Sequence, residues 1–109
     1  MLKIERGKSL KKKMVSLSTV RRFWQHVEIG ADGCWHWKGS IYKWYGYFWT
    51  GKRTRLAHRV SYVLFVKDIK FGMDIHHKCM NTDCVNPEHL VQCTRKSHVG
   101  KHYESEYYG

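Results

Sequence analysis

Residues 74–98, DIHHKCMNTDCVNPEHLVQCTRKSH, hold three of the four cysteines of the chain and four of its eight histidines. Thiolate and imidazole are the donors that zinc prefers, and four of them close a structural site. Cys79-x4-Cys84-x4-His89 supplies three at tight spacing. Cys34 and Cys93 compete for the fourth place. Cys34 would tie the two halves of the chain together, Cys93 lies four residues past His89, and spacing alone does not choose. Whichever is left over reads as a free, buried thiol. A zinc ion explains stability, but it leaves His76, His77 and His98 without a task. A lone histidine would read as an ordinary surface residue. Here His77 stands two residues before a metal ligand, and His98 stands twenty-one residues beyond His77.

The elements that must position these groups come from a short chain. Its 109 residues suffice for one domain with a thin core, which makes a metal staple plausible. Lys and Arg number 20 against 9 Asp and Glu, a formal charge of +11. That excess points to a polyanion, above all nucleic acid, and away from a small-molecule substrate. No apolar run approaches the length that spans a bilayer. The first twenty residues lack the apolar stretch and cleavage site of a signal peptide, so a cytoplasmic rather than a secreted protein is expected. In a reducing compartment the cysteines read as metal ligands, not disulfides.

Residues 1–17, with Lys11-Lys12-Lys13 in their midst, read as a basic, flexible tail that can fold onto phosphates; residues 18–109 read as one domain. STVRRFWQHVEIG predicts a helix, with Ser18 or Thr19 as cap, Val20, Phe23, Trp24 and Val27 on its apolar face, and Gly30 as its stop. Residues 33–57 alternate aromatics with other residues between glycines, the pattern of antiparallel strands, with Thr50-Gly51-Lys52-Arg53 as a hairpin turn. Most of Trp35, Trp37, Tyr45, Tyr47 and Trp49 are expected in the core. Lys38, Lys43, Lys52, Arg53 and Arg55 are the better candidates for DNA contact, since a twisted β-ribbon can enter the major groove. RLAHRVSYVLFVKDI predicts a central helix, although Tyr62 to Val66 would also suit a strand. Short strands are expected at 73–77 and 89–92, then a final helix, capped by Thr94, that carries Arg95, Lys96 and His98.

The stretch His77-x-Cys79-x4-Cys84-x-Asn86-Pro87-x-His89-Leu90 closely resembles the His-Cys box and zinc-containing HNH endonucleases, the ββα-metal (His-Me finger) nucleases of phages and mobile introns, homing endonucleases among them. Arg22-Phe23-Trp24, Cys34-Trp35-x-Trp37-x-Gly39, Tyr45-Gly46-Tyr47 and Ala57-His58-Arg59 follow the order of that family, so the resemblance covers roughly residues 20–100. It implies an α+β, zinc-stabilised ββα-metal nuclease fold, its core at about 73–104, with an antiparallel aromatic-rich sheet. It favours Cys34 as the fourth zinc ligand, because Cys93 falls where the family often has Gly.

The resemblance also implies a reaction and a phage origin. His77 becomes the strand histidine that takes the proton of the attacking water, and His98 becomes the helix residue that holds a divalent cation, Mg²⁺ or another, at the scissile phosphate of double-stranded DNA. His98 stands where many zinc-containing members have Asn and other HNH enzymes have His. His76 is a candidate second ligand, although neighbouring strand residues face opposite ways and a structural role is the alternative. Arg59 is a candidate phosphate clamp; its alternative is an ion pair with Asp68 or Asp74, and His58 is a lesser candidate for the same site. The products would be a 5′ phosphate and a 3′ hydroxyl. One such site cuts one strand, so a homodimer is one route to double-strand cleavage. The competing reading is a non-catalytic zinc DNA-binding protein, either a regulator or a decayed nuclease. An RNA-directed protein is compatible with the aromatics but not favoured by the box.

Overall fold

The computed structural model describes residues 16–94. The expected C-terminal helix with Arg95, Lys96 and His98, and all but the last residues of the basic tail, lie outside them. Helix α1 spans Leu17–Trp24, and Ser16 caps it by accepting from the Thr19 amide. The cap therefore sits earlier than Ser18 or Thr19, and the helix stops at Gln25 rather than Gly30. The reason is tertiary: Val27–Ile29 leave the helical pattern to form strand β1, which pairs with β2 at Trp35–Trp37. Two β-branched residues that gain a ladder of backbone hydrogen bonds and an aromatic neighbour outweigh a weak helical preference.

Strands β3 (Ser40–Tyr42), β4 (Tyr45–Trp49) and β5 (Thr54–Leu56) form an antiparallel three-stranded sheet in chain order. The expected turn at 50–53 joins β4 to β5. Gly51 takes φ of 102°, and the Thr50 hydroxyl accepts from the Lys52 and Arg53 amides. Gly46 has a packing reason to be Gly, since a Cβ there would run into the Trp37 indole. Phe23, Trp37 and Phe48 meet in the core with ring centroids 5.0 to 5.6 Å apart. Such pairs add about 0.5–1.5 kcal/mol each beyond the area they bury. Arg22 locks α1 onto β4, donating to the Trp49 carbonyl at 3.0 Å with its guanidinium over Phe48.

Helix α2 spans Ala57–Phe65, so Tyr62 to Phe65 is helical and not a strand. Every residue from Ala57 to Leu64 is buried, which makes α2 a core helix with no solvent face. Beneath it, β6 (Met73–His77) pairs antiparallel with β7 (Leu90–Thr94), His77 opposite Leu90 and Asp74 opposite Cys93. β7 thus runs past the expected 89–92 to include Thr94. The fold is α+β, and β6 and β7 are the two strands of the expected ββα core. Among the described residues no helix is long and apolar enough to cross a membrane.

Candidate functional site

The segment between β6 and β7 folds back on β2. Trp37 donates to the Asp83 carbonyl, Val85 to the Trp35 carbonyl, and His36 bridges Cys84. This pairing brings Cys34, at the entrance to β2, against Cys79 and Cys84. Pro87–His89 form a single 3-10 turn, capped by Asn86 Oδ1, that swings His89 inward. The other end of the Asn86 amide donates to the Gly33 carbonyl at 2.6 Å, which fixes the Cys34 loop to the same turn.

The four side chains converge with their donor atoms all within 4.8 Å of one another. Sγ of Cys34 lies 3.7 Å from Sγ of Cys79, and His89 Nδ1 lies 3.6 and 3.5 Å from the sulfurs of Cys34 and Cys84. A tetrahedral zinc with Zn–S near 2.3 Å has edges of about 3.5–3.8 Å, so the donor set and its spacing fit such an ion. Burial pushes the thiols of Cys79 and Cys84 up from their ordinary pKa, so bare thiolates there are unfavourable and a bound cation is what would deprotonate them. Asn81 Nδ2 also donates to the Cys34 sulfur at 3.2 Å. Of the two contenders for the fourth ligand, the fold brings Cys34 to the cluster, while Cys93 sits in β7 opposite Asp74.

His36 braces this centre from outside. Its Nδ1 lies 3.0 Å from Asp83 and its Nε2 3.2 Å from Asp32. The hydrogen bond to Asp83, with the two negative charges, holds its pKa above the ordinary value despite some desolvation. Asp32 in turn is held below the usual carboxylate value, first by the Cys34 amide that donates to it and also by His36. His36 and its two carboxylates carried no signal in the sequence, since the pairing needs β2 and the metal loop to meet.

A second cluster lies at the end of β6, immediately before Cys79. The His77 ring is 4.5 Å from that of His58 and 5.9 Å from that of Tyr45, which is itself 5.7 Å from His58. His77 is 5% exposed and His76 7%. Neither belongs to the four-ligand cluster. His58 hydrogen-bonds the Ile75 carbonyl through Nε2 at 3.1 Å, and a carbonyl only accepts, so Nε2 carries the proton. Helix α2 thus grips the backbone of the strand that presents His77. Arg59 does the same one turn of strand earlier. It is 3% exposed, donates to the Met73 carbonyl at 3.0 Å and lies 3.8 Å from Asp74. A guanidinium so enclosed braces β6, and it makes the ion pair with Asp74 that was the alternative to the expected phosphate clamp. His58 was visible as a neighbour of the site, but the Tyr45 contact was hidden in a run of aromatics read as core.

The basic candidates spread over the β3–β4–β5 side. Lys38 is exposed and 3.3 Å from Glu28, Lys43 lies over the Tyr42 ring, and Lys52 and Arg53 are exposed in the β4–β5 turn. Arg55 is half-buried on β5, and burial, with the charge of Arg53 beside it, lowers its pKa from the ordinary value. It stays charged in water at any ordinary pH.

Residues 55–99 match the sequence profile of the HNH endonuclease family. The chain is also similar to Protein 2.8 of Escherichia phage T7, with 32% identity over 75 residues that make up 66% of this chain and 50% of the phage protein. The chain thus spans about half the length of the curated relative it matches. No solved structure matches it. The matched segment runs from β5 through α2, β6, the metal loop and β7, and it reaches past His98. The resemblance read from the cysteine box is therefore matched by the HNH endonuclease profile over residues 55–99.

Proposed function

From an HNH endonuclease segment at residues 55–99, we propose that this protein hydrolyses phosphodiester bonds of double-stranded DNA, leaving a 5′ phosphate and a 3′ hydroxyl. The observation that carries this reading is the division of labour among its metal-type side chains. Cys34, Cys79, Cys84 and His89 form one closed set, and His77, on the strand that leads into it, stands outside that set against His58 and Tyr45.

Zinc held by the closed set would be structural, with no open position for chemistry. His77 is the general base: a neutral imidazole accepts the proton of a water as it attacks phosphorus in line with the 3′ oxygen. His58 and Tyr45 hold the ring in place, and the grip of His58 on the Ile75 carbonyl and of Arg59 on the Met73 carbonyl fixes the strand beneath it. A divalent cation, Mg²⁺ for instance, would neutralise the charge that develops on the leaving oxygen; His98 would hold it, with His76 as second donor. Lys38, Lys43, Lys52, Arg53 and Arg55, with Arg95 and Lys96, would neutralise phosphates along the duplex. A homodimer would set two such sites on opposite strands.

The burial of His77 favours a second reading, a zinc-containing DNA-binding protein without catalysis, in which His77 only packs. Plasmid nicking in Mg²⁺ by the intact protein and by His77→Ala, each with its zinc content measured, separates the two. The proposal expects nicking by the intact protein and a loss of at least about a hundredfold in the variant, the usual size of a general-base contribution, with zinc retained. Equal DNA binding and no cutting by either protein, across Mg²⁺, Mn²⁺ and Ni²⁺, would leave only the binding reading.

A further inference from the structure

The β3–β4 connection is the shortest that a hairpin can have. Tyr42 pairs with Tyr45, so Lys43 and Trp44 alone make the turn. Both take positive φ, 48° and 75°, the pattern of a type I′ turn, whose favoured sequence is Asn-Gly because both positions are left-handed. Neither residue here is Gly, Asn or Asp. A lysine and a bulky tryptophan held in that region are strained, and strain of this kind persists only where the surroundings enforce it. The surroundings do so: the Thr82 hydroxyl, in the metal loop, donates to the Trp44 carbonyl at 2.6 Å.

The strain presents an indole to solvent. Trp44 is 76% exposed, the most exposed large hydrophobic side chain among the described residues. Beside it Lys43 lies over the ring of exposed Tyr42, 5.5 Å from its centroid. The next residue, Tyr45, turns the other way and packs on His58 and His77. One strand end therefore delivers a ring to the candidate base and projects a second ring outward from the same edge.

We propose that Lys43-Trp44 is a wedge for DNA, in which the Trp44 indole stacks on a base beside the phosphate addressed by His77 while Lys43 meets the adjoining backbone. Aromatic rings stack on any base, and apolar side chains inserted at a base step unstack it and hold the duplex bent. The +11 charge of the chain supplies the polyanion preference that an exposed tryptophan alone would lack. This inference rests on the nuclease reading for its position, but not for its test.

The test uses Trp44→Gly and Trp44→Phe in the zinc-loaded full chain. Binding to a 20-base-pair duplex is followed by fluorescence anisotropy in Ca²⁺ over a series of salt concentrations, alongside thermal melts. Trp44→Gly relieves the turn and keeps Lys43, so its Tm should equal or exceed that of the intact protein. Its duplex affinity should nevertheless fall roughly tenfold, the scale of one lost stacking contact, with an unchanged salt slope, since no phosphate contact is removed. Trp44→Phe should recover most of the affinity. Intact affinity in Trp44→Gly overturns the wedge and leaves a simple chain reversal. A fall in affinity accompanied by a lower Tm that Trp44→Phe does not repair also overturns it, in favour of a structural role. An intact protein that binds duplex but never nicks plasmid defeats the nuclease reading while this measurement still decides the wedge; one that does not bind duplex at all defeats both.

Discussion

The metal cluster and the histidine cluster sit side by side on β6 and the loop that follows it, yet they are built in opposite ways. The first draws its four ligands from three separate places, the loop before β2, the loop after β6 and the 3-10 turn, and depends on nothing but their meeting. The second sets His77 of β6 against Tyr45 of β4 and His58 of α2, and it is held from behind by that buried helix, which spends His58 and Arg59 on backbone carbonyls of β6. The lesson is that a fold can hold neighbouring clusters by different means, one by the meeting of distant loops and the other by hydrogen bonds to the backbone of one strand. Substitutions in the first region should remove the fold, and those in the second should remove the activity or loosen the strand beneath it.

The largest effect is expected at the metal. Cys84→Ser, or chelation of the intact protein, should abolish metal binding and the cooperative melt, because zinc binding in small modules contributes on the order of 10 kcal/mol to folding. Cys34→Ser should behave alike, whereas Cys93→Ser should keep one metal per chain. Metal content by mass spectrometry under native conditions checks all three, and a metal-free but cooperatively folded Cys34→Ser would break the contrast between the regions.

The brace under the histidines comes next. Arg59→Met removes both the 3.8 Å ion pair with Asp74 and the bond to the Met73 carbonyl, and should cost about 3–5 kcal/mol in chemical denaturation, with metal still bound. Arg59→Met combined with Asp74→Asn should recover much of the loss. A loss under about 1 kcal/mol would mean that Arg59 is not what holds β6. His36 should show the smallest effect and a pH dependence. Its pKa is raised in the fold, so its stabilisation is complete below the ordinary value of 6.5 and is lost as pH rises through the raised value. The difference in Tm between the intact protein and His36→Gln should be small, the His36–Asp83 pair contributing below about 1 kcal/mol at this exposure, and should shrink as pH rises from 6 to 9. A difference that grows over that range would show that His36 acts neutral.

What could be read from the sequence follows the same division. The convergence of Cys79, Cys84 and His89 was legible because their spacing is local, and β6 and α2 because their apolar residues repeat. The end of α1 was not, since Val27 fits the helical face of Val20, Phe23 and Trp24 and only the presence of β2 makes it the start of a strand. The burial of Arg59, read as a candidate phosphate clamp or an ion-pair partner of Asp68 or Asp74, was not legible because nothing local reveals that α2 is buried from Ala57 to Leu64. The turn at 50–53 announced itself through Gly51, while the Lys43-Trp44 turn carries none of the residues that mark turns and is visible only as backbone angles.

Cys34 and Cys79 are 45 positions apart, and the chain between them contains the entire three-stranded sheet and α2. An ion bound by both would close that stretch into a ring, removing loop entropy from the unfolded chain on the order of 4 kcal/mol by analogy with a disulfide of the same span. The exposed Gly51-Lys52 tip lies on the ring. Toward a protease the loaded protein would behave as a macrocycle: a cut at that tip opens the ring but releases neither piece, because the two new fragments remain joined through the metal.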